Sequence, residues 1–191
     1  MRDPFKRFLL DMNRAGRAGI KLPNAMALAT AGKNGMPSVR TMLLKGVQNG
    51  NFIFYTNLVS RKAGELRSSR RASICFWWPA LGEQVRVEGR ISPVALKEAD
   101  EYFASRPRGS QIAAWASQQS HVLPSRTTLL TAVKRLEKKF KRHPVPRPSF
   151  WSGFRLKAAK IEFWFDEPSR LHRRTLYTLR SRRWRTAELY P

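Results

Sequence analysis

Arg40 and Lys45 bracket the run RTMLLK. Five residues apart, they fall on opposite faces of an ideal strand, so turning both to one ligand needs a bend or a strand end. Tyr55 and Thr56 close an apolar run just before Ser60-Arg61-Lys62. A strand end followed by a basic helix start suits a phosphate group, because free backbone N–H groups and the helix dipole add to the side-chain charge. The segment 102–120, YFASRPRGSQIAAWASQQS, sets Arg106, Arg108 and Ser110 around Pro107 and Gly109, with Gln119 and Ser120 following. Guanidinium forks beside hydroxyls suit a phosphate monoester. Near the C-terminus, EFWFDEPSRLHRR supplies Trp164, Arg170, His172 and Arg174. Two apart, Arg170 and His172 would share one face of a strand. Trp164 reads as core or as the flank of a flat cofactor. The competing reading of any single Arg or Lys is solvated surface charge. For 102–120 it is a helix–loop–helix with basic decoration.

Other chemistries find no residues to run them. There is no GxGxxG after a strand, no P-loop, no HExxH and no GxSxG. The three histidines, His121, His143 and His172, lack zinc-ligand spacing, so no metal is expected. A single cysteine, Cys75, excludes an intramolecular disulfide framework. Across 191 residues, 37 Lys and Arg face 13 Asp and Glu, a formal charge of +24. Preferred ligands should therefore be anionic. A hydrophobic content of 42% supports a packed core. No apolar run approaches the roughly 20 residues of a membrane span, and the N-terminus has no secretory pattern. A soluble, cytoplasmic protein is expected.

The elements that must position these residues are mostly strands. Asp3-Pro4 is an N-cap followed by proline at the first helical position, and Phe5, Phe8, Leu9 and Met12 share a helical face. A helix is predicted within residues 1–20. Strands are predicted at 25–30, 38–45, 52–56, 72–78 and 84–91, with hairpin signals at Asn34-Gly35 and Asn49-Gly50. Ser60 would cap a short helix reaching Leu66. Helices are predicted at 95–105 and, capped by Ser125, at 125–140, where Leu129, Val133, Leu136 and Phe140 line one face. HPVPRPS at 143–149 is a stiff connector within the domain. Strands at 160–165, 170–179 and 184–189 finish the chain. Short hairpin connections predict one mainly β domain over 1–191, largely antiparallel and closing into a barrel.

RTMLLKG, FYTN with SRK, QVRVEGR, YFASRPRGSQIAAWASQQS, VPRPSFWSGFR, IEFW and SRLH before LY stand in an order and spacing that resemble the pyridoxine/pyridoxamine 5′-phosphate oxidase family, over about residues 20 to 191. The resemblance implies an FMN-binding split β-barrel homodimer with FMN at two dimer-interface sites. By matching positions it implies that Arg40, Thr41, Met42, Leu43, Leu44 and Lys45 line the FMN. Tyr55, Thr56, Arg61, Lys62, Gln84, Gln119, Ser120, Trp164 and Arg174 would also contact it. Lys45, Tyr102, Arg106 and Ser110 would hold the substrate phosphate, with the catalytic pair Arg170 and His172 over the pyridine ring and its reacting carbon. The implied activity is oxidation of pyridoxamine or pyridoxine 5′-phosphate to pyridoxal 5′-phosphate, with O2 as acceptor and H2O2 as product. Two phosphate monoesters in one cleft would account for the basic clusters. The family pattern RLHDR here reads Arg170-Leu171-His172-Arg173-Arg174, with Arg173 in an acidic position. A basic, tyrosine-bearing N-terminal segment that covers the substrate in the family is expected to be missing. Both departures bear on the substrate more than on FMN.

A rival reading is a flavin-barrel scaffold whose charge serves nucleic acid or another polyanion. Residues 134–160 hold ten Lys and Arg against Glu137 alone, and residues 170–191 hold seven Arg against Glu188 alone. A third reading is a related flavin oxidase with a different ring substrate.

Overall fold

The computed structural model describes residues 3–191. The chain runs α1 (Pro4–Arg17), β1 (Ala25–Ala31), β2 (Pro37–Leu43), β3 (Gly46–Gln48), β4 (Asn51–Asn57), α2 (Arg61–Ser69), β5 (Arg71–Trp78), β6 (Glu83–Pro93), α3 (Leu96–Ala104), α4 (Arg108–Ala116), α5 (Arg126–Phe140), β7 (Trp151–Phe165), β8 (Arg173–Arg180) and β9 (Arg183–Leu189). The strands form one sheet in the order β2-β1-β5-β6-β7-β4-β3, with β8 on β7 and β9 on β8. Pairing is antiparallel along the β2-β1-β5-β6 run, in the β3–β4 hairpin and through β7-β8-β9. The expected β-rich antiparallel class is what forms.

Local chemistry explains the boundaries. Asp3 Oδ1 accepts a 2.9 Å hydrogen bond from the Phe5 N–H and caps α1, with Pro4 at its first position. Met1 and Arg2, part of the expected helical segment, lie outside the described residues. Ser125 caps α5 by accepting from the Thr128 N–H at 3.1 Å. Asn49 and Gly50, both at positive φ, turn β3 into β4.

Three expectations are corrected. The strand expected over 38–45 stops at Leu43, because Leu44 N–H turns to the Asn24 carbonyl and Lys45 N–H to that of Ile53. Lys45 therefore sits at the strand end rather than within it. The strand expected to begin at 160 starts at Trp151, since the first half of β7 is buried in a continuous run and shows no alternation. The strand expected from 170 begins at Arg173. Pro168 opens a single 3₁₀ turn in which Ser169 and Arg170 take φ of 55° and 61°. Arg170 and His172 thus precede the strand, and the alternation argument for their shared face fails.

The chain divides into two compact units. The first comprises residues up to Phe54, Glu65–Ser92 and Arg155–Pro191. Its core is aromatic and aliphatic: Met26, Leu28, Phe52, Ile74, Phe76, Trp78, Val85, Val87, Ile161 and Phe163 are all buried. Phe8 of α1 inserts among them, with ring centroids 5.0 Å from Phe52 and 4.9 Å from Phe76. Burying that ring contributes about 1.5–3 kcal/mol. One residue in the same layer breaks the apolar rule: Glu83 has no exposed surface. Neither of its oxygens, nor Asp11 Oδ2 on α1, meets a hydrogen-bond donor. Burial first, then the Asp11 carboxylate, pushes the Glu83 carboxyl up to about 8. In β6, Gly89 lets two backbones meet, because a Cβ there would lie 2.0 Å from the Lys157 carbonyl oxygen of β7.

The second unit comprises Tyr55–Gly64 and Pro93–Phe154. Phe103, Ile112, Leu136, Phe140, Val145 and Trp151 form its core. The helix α4 within it was absent from the predicted helices and agrees with the competing helix–loop–helix reading of 102–120. Pro107 occupies the N-cap, and Gly109 lies in the first turn.

Candidate functional site

In the second unit, β4 ends at a polar cluster. Lys62, one residue into α2, is buried, and its Nζ donates to Gln119 Oε1 at 2.6 Å. Thr56 Oγ1 also donates to Gln119 Oε1, at 3.2 Å, and lies 3.4 Å from Lys62 Nζ, with Ser60 Oγ 3.5 Å away. Asn57 holds the turn that delivers these groups: its Oδ1 accepts from Val59 N–H and its Nδ2 donates to the Ser117 carbonyl. A buried ammonium, hydroxyls and an amide are groups that can together serve an anion. Arg61 is exposed beside it, as is Ser120, which takes φ of 74°.

A second cationic seat lies in the same unit. Tyr55, Tyr102 and Trp151 stack nearly parallel, with Tyr55 and Tyr102 centroids 4.0 Å apart. The Arg106 guanidinium lies 4.7 Å over the Trp151 ring. Its Nη1 is buried and donates to no group. Desolvation lowers the Arg106 pKa. Ser110 stands across Pro107, in the first turn of α4, with its N–H on the Pro107 carbonyl at 2.8 Å. Arg108 has a different role: it donates to the carbonyls of Phe140 and His143 and ties α4 to the end of α5.

In the first unit, strand register places Thr41, Cys75 and Arg86 on one sheet face, with Trp77 opposite Gln84 on that face and Trp164 opposite Arg174. Trp77 and Trp164 meet edge to face at 6.0 Å. Glu162 is buried and receives the Arg174 fork at 2.9 and 2.8 Å, and Arg86 at 2.5 Å. Gln84 accepts from Cys75 Sγ at 3.4 Å, and burial pushes the Cys75 thiol up. Arg40 occupies the opposite face, register partner of Leu28. It donates to Thr30 and Ser38 and pairs with Glu65 at 3.4 Å. Thr41 is exposed, Met42 and Leu43 are half-buried, and Leu44 is buried. Lys45 lines a groove of about 530 Å³ with Leu9, Met12, Pro23, Leu44 and Val47.

His172 is held by its surroundings rather than by a strand. Its ring lies 4.5 Å from Trp164. Nδ1 lies 3.2 Å from the Glu167 backbone nitrogen. Asp166 Oδ1 stands 3.2 Å from the same Nδ1. Arg170 is exposed, and Arg173 pairs with Glu167 at 2.6 Å.

Within the second unit the structure thus gathers Thr56, Lys62 and Gln119, and separately Tyr55, Tyr102 and Arg106. Within the first it gathers Gln84, Trp164, His172 and Arg174, while Arg40 turns to the other face. Four supporting residues escaped the sequence reading: Glu65, Trp151, Glu162 and Asp166. For Glu162, its alternation with Trp164 in IEFW was the available signal.

Residues 12–140 match a family model described as pyridoxamine 5′-phosphate oxidase. Residues 151–191 match one described as the pyridoxine 5′-phosphate oxidase C-terminal dimerisation region. The chain is 50% identical over 189 residues to a pyridoxine/pyridoxamine 5′-phosphate oxidase of Myxococcus xanthus (strain DK1622), covering 99% of this chain and 92% of the relative. It is 47% identical to the protein of the same description from Rubrobacter xylanophilus, covering 99% and 87%. Among solved structures it is similar to PhzG from Burkholderia lata 383 in complex with tetrahydrophenazine-1-carboxylic acid, with TM-score 0.94, 31% identity and coverage of 99% and 93%. It also shares its fold with a pyridoxamine 5′-phosphate oxidase-related, FMN binding protein from Nostoc punctiforme, with TM-score 0.80, 16% identity and full coverage of both chains.

Proposed function

The chain belongs to the pyridoxamine 5′-phosphate oxidase family, and from that premise we propose that it is an FMN-dependent oxidase forming pyridoxal 5′-phosphate, acting in the cytoplasm as a homodimer. Pyridoxine 5′-phosphate and O2 give pyridoxal 5′-phosphate and H2O2. Pyridoxamine 5′-phosphate, O2 and water give the same products and ammonia. FMN, when bound, supplies the two-electron acceptor that dioxygen reoxidises.

The residues present fit such a group. Lys62, set among Thr56, Ser60 and Gln119, offers a dry ammonium for the cofactor phosphate, with Arg61 and Ser120 adding donors. The half-exposed face with Gln84, Trp164 and Arg174 offers a flat aromatic wall and amide and guanidinium donors for a ring system. Thr41, Met42, Leu43 and Leu44 would line the same cofactor, with Arg40 bracing that strand through Glu65.

One observation carries the substrate class. The buried Arg106 donor without an acceptor is poised for an oxyanion, and Tyr102 and Ser110 add hydroxyls from the same unit. By the resemblance, Lys45 would also serve a phosphate. Arg170 and His172 orient the ring. The test is anaerobic reduction of the bound flavin by pyridoxamine 5′-phosphate, pyridoxine 5′-phosphate and their dephosphorylated forms. Rapid reduction by the phosphorylated forms alone supports the reading. The likeness to PhzG keeps a second reading open, a flavin oxidase of another reduced ring. Flavin that none of the four compounds reduces would favour it.

Two predictions arise here. Arg61→Ala with Lys62→Ala should weaken FMN binding by at least tenfold, since charge-assisted contacts are worth about 1.5–3 kcal/mol each. Lys62 should carry most of the loss because it is buried. Fluorescence titration of apoprotein with FMN reads the result, and unchanged affinity would displace the phosphate from α2. Arg170→Ala and His172→Ala should each lower kcat/KM with the flavin spectrum unchanged. Arg173→Asp should stay close to the parent, because its ion pair with Glu167 is exposed and worth about 0–1 kcal/mol. The reverse pattern in steady-state assays would unseat this catalytic pair.

A further inference from the structure

The β8–β9 hairpin concentrates charge at a structural cost. Arg180 and Arg183 face each other directly across the ladder, and Arg185 lies two residues further along β9 on the same face. Like charges placed opposite each other destabilise a strand pair. The turn between them takes φ of 47° at Ser181 and 62° at Arg182. Those two positions of a tight hairpin favour Asn and Gly, and a long side chain there is strained. All four arginines are exposed. Among the described residues no carboxylate or carbonyl pairs with any of them. The acid of β9, Glu188, is engaged by Thr175 across the ladder. Neither the opposed pair nor the strained turn serves the sheet, so both point to an external anion.

We propose that this hairpin is a binding surface for the sugar–phosphate backbone of nucleic acid. Four guanidinium groups within three residues of a turn demand a dense line of negative charge, and each nucleic-acid strand carries one charge per about 3.4 Å of axis. A single phosphate monoester cannot neutralise four cations. The shape agrees as well. β9 pairs only with β8, and β8 pairs with β7 only over Arg173–Thr178, so the tip beyond Thr178 stands as a two-stranded ribbon at a sheet edge. A ribbon of that kind enters a major groove, whereas a membrane surface offers a ribbon tip no groove to enter. Backbone charge carries no sequence information, so binding is independent of sequence and falls steeply with salt.

The test uses flavin-loaded protein and a mixed-sequence DNA duplex, with fluorescence anisotropy followed through a salt titration. Arg180→Gln, Arg182→Gln and Arg183→Gln together should reduce the slope of log K against log salt by about 2.7, roughly 0.9 per lost contact. The comparison protein carries Lys134→Gln, Lys138→Gln and Lys141→Gln, the same change in net charge on and just beyond the exposed side of α5. It should keep the parent slope. Equal losses in the two proteins would mean that bulk charge, not the hairpin, binds the duplex, and would overturn the proposal. So would an unchanged slope in the hairpin variant, or hairpin-dependent binding stronger to anionic lipid vesicles than to the duplex. A second variant guards against misfolding. Ser181→Asn with Arg182→Gly installs the favoured turn residues, so it should melt no lower than the parent while its slope still falls by about 0.9. A parent-like slope in that well-folded variant would also refute the assignment.

Discussion

Arg106→Ala is expected to lower kcat/KM for pyridoxamine 5′-phosphate by roughly 100-fold, while flavin content and oxidation of unphosphorylated pyridoxamine stay at parent levels. The magnitude follows from one charge-assisted contact made in a desolvated place, about 2–3 kcal/mol. The split between substrates follows from the geometry. The guanidinium rests on Trp151, and its buried Nη1 has no protein acceptor, so its function is realised only when an oxyanion arrives. A merely structural arginine would, on removal, lower the melting temperature and slow both substrates alike. Steady-state assays with the two substrates, with thermal melts of each protein, separate these outcomes. Equal losses on both substrates would remove Arg106 from the phosphate seat.

The second large effect is on stability. Glu83 holds a proton in the folded protein up to about pH 8, whereas an unfolded glutamate releases it near 4.5. Between those values the folded state binds the extra proton, so stability falls as pH rises. The contribution is fully present below about pH 4.5 and is lost as pH climbs through about 8, on the order of 5 kcal/mol in all. Physically, Glu83 and Asp11 offer three buried acceptor atoms and no donor, and one shared proton supplies it. Arg7 and Arg14 hold the remaining charge at Asp11, at 3.7 and 2.9 Å. Glu83→Gln replaces the proton by an amide donor. Denaturant unfolding from about pH 5 to pH 9 should show a decline for the parent and a nearly flat profile for Glu83→Gln. A decline of the same size in both would place the linkage elsewhere.

Much of the framework was legible because short-range chemistry wrote it. Asp3-Pro4, Ser125 and Asn49-Gly50 mark their own positions, and QVRVEGRI alternates as a strand buried on one face does. Where tertiary burial covers both faces, the period disappears, which is why no strand was predicted over the first half of β7. Where strain replaces a glycine, no letter announces it: Ser169 and Arg170 adopt positive φ with ordinary side chains. The candidate residues were legible chiefly through the resemblance in RTMLLKG, RPRGSQI and RLH. Periodicity could group them only by strand. Their supports were hidden by distance along the chain, since Glu65 lies 25 residues from Arg40 and Glu162 lies 76 from Arg86.

With 2.0 Å between an added Cβ and the Lys157 oxygen, no single substitution at Gly89 is compatible with the observed spacing of β6 and β7. In evolutionary terms, position 89 is a one-way gate. A lineage that acquired glycine there could draw the two strands together, and from then on every one-codon departure lands on a steric collision that only a simultaneous shift of the β7 backbone would relieve. Drift, which can change an exposed position outside any site one residue at a time, has no stepwise path through this one.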